Sequence, residues 1–300
     1  MLRKSLAICL SMAFGVSLAV AANVPASQAK LTAAEVVDKN VSARGGLEAW
    51  RRVHTMSWEG MMGVGGNQRG ALPASLSGGK HGQQALTTLP SRPAEEVQLP
   101  FVMDLKRPGK TRIELQFGGQ TAVQVFDGSH GWKLRPYLNR RVVEPYSPEE
   151  QTMAALQSDL DGPLVDYAAK GTRVELVGAE KVEDRDTYKL KLTMKSGQTL
   201  HVWIDAQTFL EAKMEGQPRR LDGVYHPVEV YFSDYRQVSG LQVPYVLETK
   251  VLAPTEKVPG IKDVPAQPEK IILSKVVVNP EFAESLFSKP IVSASASNSK

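Results

Sequence analysis

Apolar and polar residues alternate along most of this chain of 300 residues. The clearest run is Tyr-Lys-Leu-Lys-Leu-Thr-Met at residues 188–194. Because successive side chains of a β-strand point to opposite faces, this alternation predicts strands that are apolar on one side and polar on the other. The pattern predicts about eleven strands, and turn sequences such as Ser196-Gly197 favour antiparallel pairing. A sheet of that size tends to curl or close, so we predict a mainly β (α+β) fold whose large apolar face must be covered.

Four short helical segments accompany the predicted strands. Thr32 followed by Glu35 has the sequence of a capping box, and Ser147 followed by Pro148 is typical of a helix start. The predicted helices cover residues 32–41, 47–53, 148–160 and 281–287. The apolar stripe of the third helix either packs in the core or faces a ligand, and it consists of Met153, Leu156 and Leu160.

Residues 1–29 predict a secretory signal peptide that is removed on export. Basic residues precede an apolar stretch at 6–20, which is short for a membrane span and is followed by small residues. The alternative is an N-terminal membrane anchor. A removed signal favours a periplasmic protein with a single domain over residues 30–290. The Ser/Ala-rich tail over 291–300 is predicted to be disordered.

Two stretches interrupt the strand pattern and are predicted to be insertions. Residues 63–98 are rich in Gly, Ser, Pro and Gln, and residues 252–268 are rich in Pro.

The composition excludes several classes of function. The only cysteine, Cys9, lies within the predicted signal, so a mature chain has no disulfide, thiolate metal site or cysteine nucleophile. The formal charge of +4 falls to about +2 without Arg3 and Lys4, which makes nucleic acid an unexpected partner.

No catalytic or metal-binding motif is recognisable in the sequence, so we expect neither an enzyme nor a cofactor. The histidines lack the spacing of metal ligands, and they are His54, His81, His130, His201 and His226.

Two charged clusters have more than one interpretation. Carboxylates around an Asp-Gly-Pro sequence favour a helix-ending turn over paired carboxylates or a calcium site, and they are Asp159, Asp161 and Asp166. A basic patch on a hairpin is either solvated or meets an acidic partner or lipid headgroups, and it comprises Lys133, Arg135, Arg140 and Arg141.

A series of short segments carries a family resemblance, most clearly Asp-Gly-Pro-Leu-Val-Asp-Tyr at residues 161–167 and Val-Glu-Leu-Val-Gly at 174–178. These segments resemble periplasmic outer-membrane lipoprotein-sorting proteins, the lipoprotein-carrier (LolA-like) superfamily. Ala-Arg-Gly-Gly-Leu-Glu-Ala-Trp at 43–50 is similar to the N-terminal helix-turn-helix of that family. The other segments occur in the same order over most of the mature chain, at residues 106–112, 124–128, 131–132, 188–190, 209–210, 232–235, 240–244 and 279–281.

The resemblance implies a curved antiparallel sheet that forms an unclosed β-barrel, with short helices over its concave face. In such proteins the cavity between sheet and helices takes up acyl chains. The two insertions depart from the well-studied carriers, which leaves open what this chain transports and where it docks.

A soluble carrier of acyl chains needs an apolar interior, because each exposed CH₂ group costs about 0.8 kcal/mol. The predicted cavity-lining residues, each of which also suits an ordinary core, are Trp58, Met62, Phe101, Met103, Leu115, Phe117, Met153, Leu156, Leu160, Leu190, Leu192 and Met194.

Two functions are carried forward from the sequence. The first is a monomeric periplasmic carrier that moves lipid or lipoprotein acyl chains towards the outer membrane, between an inner-membrane donor and an outer-membrane acceptor protein. The alternative is a periplasmic sensor or regulatory module of the same fold that acts through a membrane-protein partner.

Overall fold

The computed structural model describes residues 31–64, 97–136, 140–221, 224–254 and 268–291. The predicted signal peptide, most of both predicted insertions and nearly all of the predicted tail lie outside the described residues. No helix among those residues has the length and apolar character needed to cross a membrane.

The described residues form one sheet of thirteen antiparallel strands, which confirms the mainly β prediction but corrects the count of about eleven. One missed strand is β6, where adjacent arginines and adjacent valines hide the alternation. The strands are β1 (Thr55–Val64), β2 (Val97–Lys106), β3 (Lys110–Phe117), β4 (Gln120–Phe126), β5 (Gly131–Arg135), β6 (Arg140–Pro145), β7 (Arg173–Val182), β8 (Arg185–Thr193), β9 (Thr199–Asp205), β10 (Glu211–Leu221), β11 (Val224–Val238), β12 (Leu241–Val251) and β13 (Glu269–Val278).

The strand order is β6-β5-β4-β3-β2-β1-β13-β12-β11-β10-β9-β8-β7. The first and last strands therefore pair in the middle of the sheet, while β6 and β7 form its two edges. Because β6 and β7 are consecutive along the chain, the segment between them connects opposite edges of the sheet. A segment that runs from one edge to the other has to cross a face of the sheet, and it thereby covers that face.

The two helices with predicted caps begin where those caps place them. The helices are α1 (Ala33–Ala43), α2 (Leu47–Arg51), α3 (Pro148–Gln157) and a short 3-10 helix (Glu284–Phe287). The predicted capping box at Thr32 is present in α1, and Ser147, predicted only as a helix start, also forms a capping box in α3. Two predictions are corrected: α3 ends three residues earlier, because the Asp-Gly-Pro region turns, and the C-terminal segment forms one 3-10 turn.

The boundaries of the first predicted insertion, residues 63–98, are also corrected. β1 extends to Val64 and β2 begins at Val97, so the hairpin ladder continues into the segment interpreted as irregular. Gly63 pairs with Gln98 and Val64 with Val97. A glycine and polar residues at the strand ends conceal the ladder in the sequence.

The two faces of the sheet differ in what covers them. We call the face that carries Met56, Trp58 and Met103 the inner face, and α2, α3 and residues 158–172 (the crossover segment) cover it. On the opposite, outer face, Val123 and Val125 pack against Phe287 of the 3-10 helix. The inner face, between the sheet and its helical cover, is therefore the candidate location of a functional site.

Candidate ligand cavity

A cavity of about 160 Å³ lies on the inner face between the sheet and the crossover segment; we call it the central cavity. Strands from the middle and one side of the sheet supply its floor, while α2 and the crossover segment supply the other walls. Its apolar lining includes Trp50, Met56, Trp58, Leu160, Leu164, Met214 and Phe232. Such a space favours a hydrocarbon group over water because little of the wall can form hydrogen bonds.

Trp50 of α2 is fixed in this wall by the turn between α1 and α2. Its indole Nε1 donates to the Arg44 carbonyl at 3.1 Å, and the Arg44 guanidinium lies 4.3 Å from the ring centroid. Gly45 has φ +115°, and a Cβ there would lie 2.4 Å from the Gly240 carbonyl oxygen. Only glycine allows the turn to approach β12 this closely.

The Arg44 guanidinium brings charge to the edge of the apolar cavity. Its Nη1 donates to the Asp161 carbonyl at 2.8 Å and lies 3.3 Å from a Glu211 carboxylate oxygen. Tyr235 donates its hydroxyl to the same carboxylate at 3.2 Å. Burial and the neighbouring Glu211 raise the pKa of Tyr235 well above its usual value, so this hydroxyl remains a donor.

Asp161 holds the crossover segment to the sheet. Its side chain is 3% exposed, and its carboxylate accepts from Arg107 at 2.6 Å and from Lys170 at 2.7 Å. Burial opposes ionisation, but hydrogen bonds from Asp159, Lys170 and Arg107 prevail and lower the pKa of Asp161 to about 2. The buried carboxylate is therefore charged at neutral pH and bridges the β2–β3 turn and the crossover segment.

Asp159 is the member of this carboxylate pair that ionises less readily. Burial, followed by its hydrogen bond with Asp161, raises its pKa to about 6. Lys170 donates to both carboxylates at 2.7 Å. The predicted helix-ending turn is therefore present, and within it Asp159 and Asp161 form a carboxylate pair that basic side chains hold.

A third contact fixes the other end of the crossover segment to α2. Arg51 donates to both carboxylate oxygens of Asp166, at 2.9 and 2.7 Å. This bidentate contact fixes the relative orientation of the two side chains more strictly than a surface ion pair with a single hydrogen bond does.

A second cavity of about 310 Å³, which we call the α3 cavity, lies between α3 and strands β2 to β4. Its lining is mixed, and it includes Met103, Ile113, Gln124, Tyr146, Glu150 and Met153. None of the residues of α3 is buried. Polar contacts attach this helix to β5, including the Glu150–Lys133 ion pair and a 3.1 Å hydrogen bond from the Gly131 amide to Gln151.

The two cavities adjoin across neighbouring strands. Trp58 of the central cavity pairs in register with Met103, Met103 with Ile113, and Ile113 with Gln124 of the α3 cavity. At about 4.8 Å per strand, this row extends for roughly 14 Å across the inner face.

The structure distributes the predicted cavity residues over several environments. Trp58 and Leu160 line the central cavity, and Met103 and Met153 line the α3 cavity. Phe101, Leu190 and Leu192 are buried in the core outside both cavities, whereas Phe117 is 46% exposed. Four further predicted residues line neither cavity: Met62, Leu115, Leu156 and Met194. A ligand-binding role for any of the twelve residues stays a prediction.

Sequence reasoning missed the polar part of the central cavity. Glu211 carries no recognisable pattern in the sequence. Arg44 and Tyr235 lie within the family-like segments 43–50 and 232–235, which is the only signal the sequence offers for them.

Two of the four residues of the predicted basic patch form ion pairs within the protein. Lys133 pairs with Glu150, and Arg135 pairs with Glu144 at 2.7 Å. Among the residues that the structure describes, no group of three or more His, Cys, Asp or Glu side chains is placed to hold a metal ion.

Several solved structures resemble this chain. A LolA superfamily protein from Nitrosomonas europaea has 12% identity and a TM-score of 0.49, over 86% of this chain and 98% of that one. An outer-membrane lipoprotein-sorting protein domain from Vibrio parahaemolyticus has 12% identity and a TM-score of 0.49, over 85% and 95%. A DUF1329 family protein from Desulfovibrio piger has 13% identity and a TM-score of 0.48, over 85% and 97%.

The first two of these structures carry names from the family that the sequence resembles. No family model matches the chain, and no curated protein sequence matches it.

Proposed function

We propose that this protein is a periplasmic carrier. It binds acyl chains of lipids or lipoproteins between the sheet and its helical cover, and it transfers them towards the outer membrane. The observation that carries the proposal is the pair of adjoining cavities on one sheet face, joined by the in-register row from Trp58 to Gln124.

The driving force for such binding is burial of hydrocarbon. Each CH₂ group removed from water contributes about 0.8 kcal/mol, so even part of an acyl chain gives useful affinity. Met56, Met103, Met153 and Met214 line the two spaces. Flexible thioether side chains adapt to irregular hydrocarbon shapes, which suits a carrier whose ligand has many conformations.

The cavity sizes require the cover to move for a whole chain to enter. A space of roughly 150 Å³ holds about one benzene-sized group, and the central cavity measures about 160 Å³. The α3 cavity is larger and its helix buries no residue, so displacement of α3 exposes little apolar surface. We expect ligand to enter beneath α3 and to extend towards Trp58.

A binding experiment with a cavity-filling variant tests this proposal. Ile113→Trp places an indole in the α3 cavity, whereas Val142→Trp makes a comparable change at a β6 position that is 67% exposed. We expect the first variant to weaken binding of a fluorescent fatty-acyl probe at least tenfold, and the second to leave it unchanged. Native mass spectrometry of periplasmically expressed protein should also show bound lipid.

Two outcomes would contradict the carrier. Absence of both co-purified lipid and probe binding would remove its basis. Recovery of one stoichiometric membrane-protein partner without lipid would instead favour the sensor or regulatory module.

A further inference from the structure

Two nitrogen donors at the central cavity have no hydrogen-bond partner. They are Nε of Arg44 and Nε1 of Trp58, and both atoms are buried. Both side chains line this cavity, and Arg44 as a whole is only 9% exposed. Trp50, the other indole in the lining, donates normally to a backbone carbonyl.

Unpaired buried donors are costly, because each has lost its hydrogen bonds to water without a replacement. A pure hydrocarbon ligand would leave both donors unpaired. A ligand that places an acceptor oxygen among the apolar walls would satisfy them and would also be recognised by its position. Donors of this kind favour a ligand that carries such an oxygen over one that does not.

The charges around the cavity indicate which kind of acceptor fits. The Arg44 guanidinium already faces the Glu211 carboxylate at 3.3 Å, so its positive charge is balanced. Asp159 and Glu211 both contribute to the lining, and a ligand carboxylate would lie beside them. Burial raises the pKa of Asp159 to about 6, so a third anion would further oppose its ionisation at neutral pH. A neutral carbonyl avoids this repulsion.

We infer that the central cavity recognises the ester or amide carbonyl of a lipid acyl chain, through the free donors of Trp58 and Arg44. This inference rests on the proposed acyl-binding function and adds the chemical group that fixes the head of the chain. It separates linked acyl chains, as in lipids and lipoproteins, from free fatty acids.

Three probes with one hydrophobic body test the inference on the full chain: pyrenedodecanoic acid, its methyl ester, and dodecylpyrene. The ester has a neutral acceptor, the acid has a charged one, and the hydrocarbon has none. We expect the methyl ester to bind more tightly than either of the other probes at neutral pH. Stronger binding of the acid would overturn the choice of a neutral carbonyl.

The matched variants Trp58→Phe and Trp132→Phe each remove one indole N–H. Trp132 lies on β5, outside the lining of the central cavity. We expect Trp58→Phe to raise the Kd of the ester roughly three- to tenfold, the contribution of one hydrogen bond to a neutral acceptor. The Kd of dodecylpyrene should remain unchanged in that variant, which also verifies that the cavity is folded. Trp132→Phe should change neither Kd.

Equal weakening of ester and hydrocarbon binding by Trp58→Phe would overturn the inference, because the indole would then act only by packing. Equal affinity of the unmodified protein for ester and hydrocarbon would overturn it as well while leaving acyl binding intact. If none of the three probes binds, the proposed function itself fails, and the two failures are thereby distinguished.

Discussion

The cover over the inner face has two parts that are attached by different physical means. On one side, α1 and α2 bury Val36, Val37 and Trp50 almost completely. On the other side, α3 buries no residue and is attached to β5 by an ion pair and amide hydrogen bonds. Nevertheless, α1 and α3 begin in the same way, each with a capping box.

This difference shows that local helix signals do not determine how firmly a helix is held. Burial of apolar surface stabilises α1 and α2, whereas exposed ion pairs contribute little. The α1–α2 side therefore acts as a fixed wall of the central cavity, and the α3 side is the part of the cover that can separate at small cost. The following predictions test this division.

The largest expected difference is between Trp50→Ala and Met153→Ala. Removal of the buried Trp50 indole leaves a cavity and removes its hydrogen bond to the Arg44 carbonyl, so the free energy of unfolding should fall by about 3–5 kcal/mol. Met153 is only partly buried on α3, and its loss should cost less than about 1 kcal/mol. Urea unfolding measures both values, and equal losses would show that α3 is packed as firmly as α2.

A smaller difference is expected between the two carboxylates of the crossover segment. Asp161→Asn removes the buried partner of Arg107 and Lys170, and it should lower the free energy of unfolding by about 2–3 kcal/mol at neutral pH. The partial exposure of the two cations keeps this value below that of a fully buried pair. Asp159→Asn should be neutral or stabilising by less than about 1 kcal/mol, because it removes a carboxylate whose ionisation is opposed by burial.

The pH dependence of these variants has opposite signs. The pKa of Asp161 is lowered to about 2 from 3.8, so its contribution is present above about pH 4 and is lost as the pH falls towards 2. The pKa of Asp159 is raised to about 6, so the folded protein binds a proton more tightly than the unfolded chain, and acidification from pH 7 to 4 favours folding. Denaturation at several pH values should therefore show the Asp161→Asn deficit shrinking below pH 4. Any advantage of Asp159→Asn should shrink as the pH falls below about 6 and disappear below about pH 4.

The smallest expected effects come from the two N-caps, Thr32 and Ser147. Each hydroxyl accepts from the amide three residues later at 3.2 Å, so the two changes to alanine remove matched interactions. Thr32→Ala should lower global stability by about 1 kcal/mol, because α1 unfolds with the core. Ser147→Ala should leave the urea midpoint nearly unchanged and raise hydrogen exchange in α3 about fivefold. Equal global losses would contradict a separately opening α3.

Local chemistry in the sequence determined much of the architecture. Alternation along Tyr188 to Thr193 placed β8 correctly, and the caps at Thr32 and Ser147 placed the starts of α1 and α3. These signals operate within one strand or one helical turn, so they can be interpreted without tertiary structure. The short range of these signals also explains two errors. β6 was missed because its residues do not alternate cleanly, and α3 was predicted too long because its apolar stripe continues past the turn that ends the helix.

Only the tertiary structure decided what the inner face contains. The Arg107–Asp161 pair joins residues 54 positions apart, and the Tyr235–Glu211 contact joins residues 24 apart. The sequence identified Trp58 and Met103 as inner-face residues, but strand register brought them side by side between two cavities. Whether an indole nitrogen finds a hydrogen-bond partner depends on all the atoms around it, so no sequence pattern could predict that the Trp58 nitrogen is unpaired.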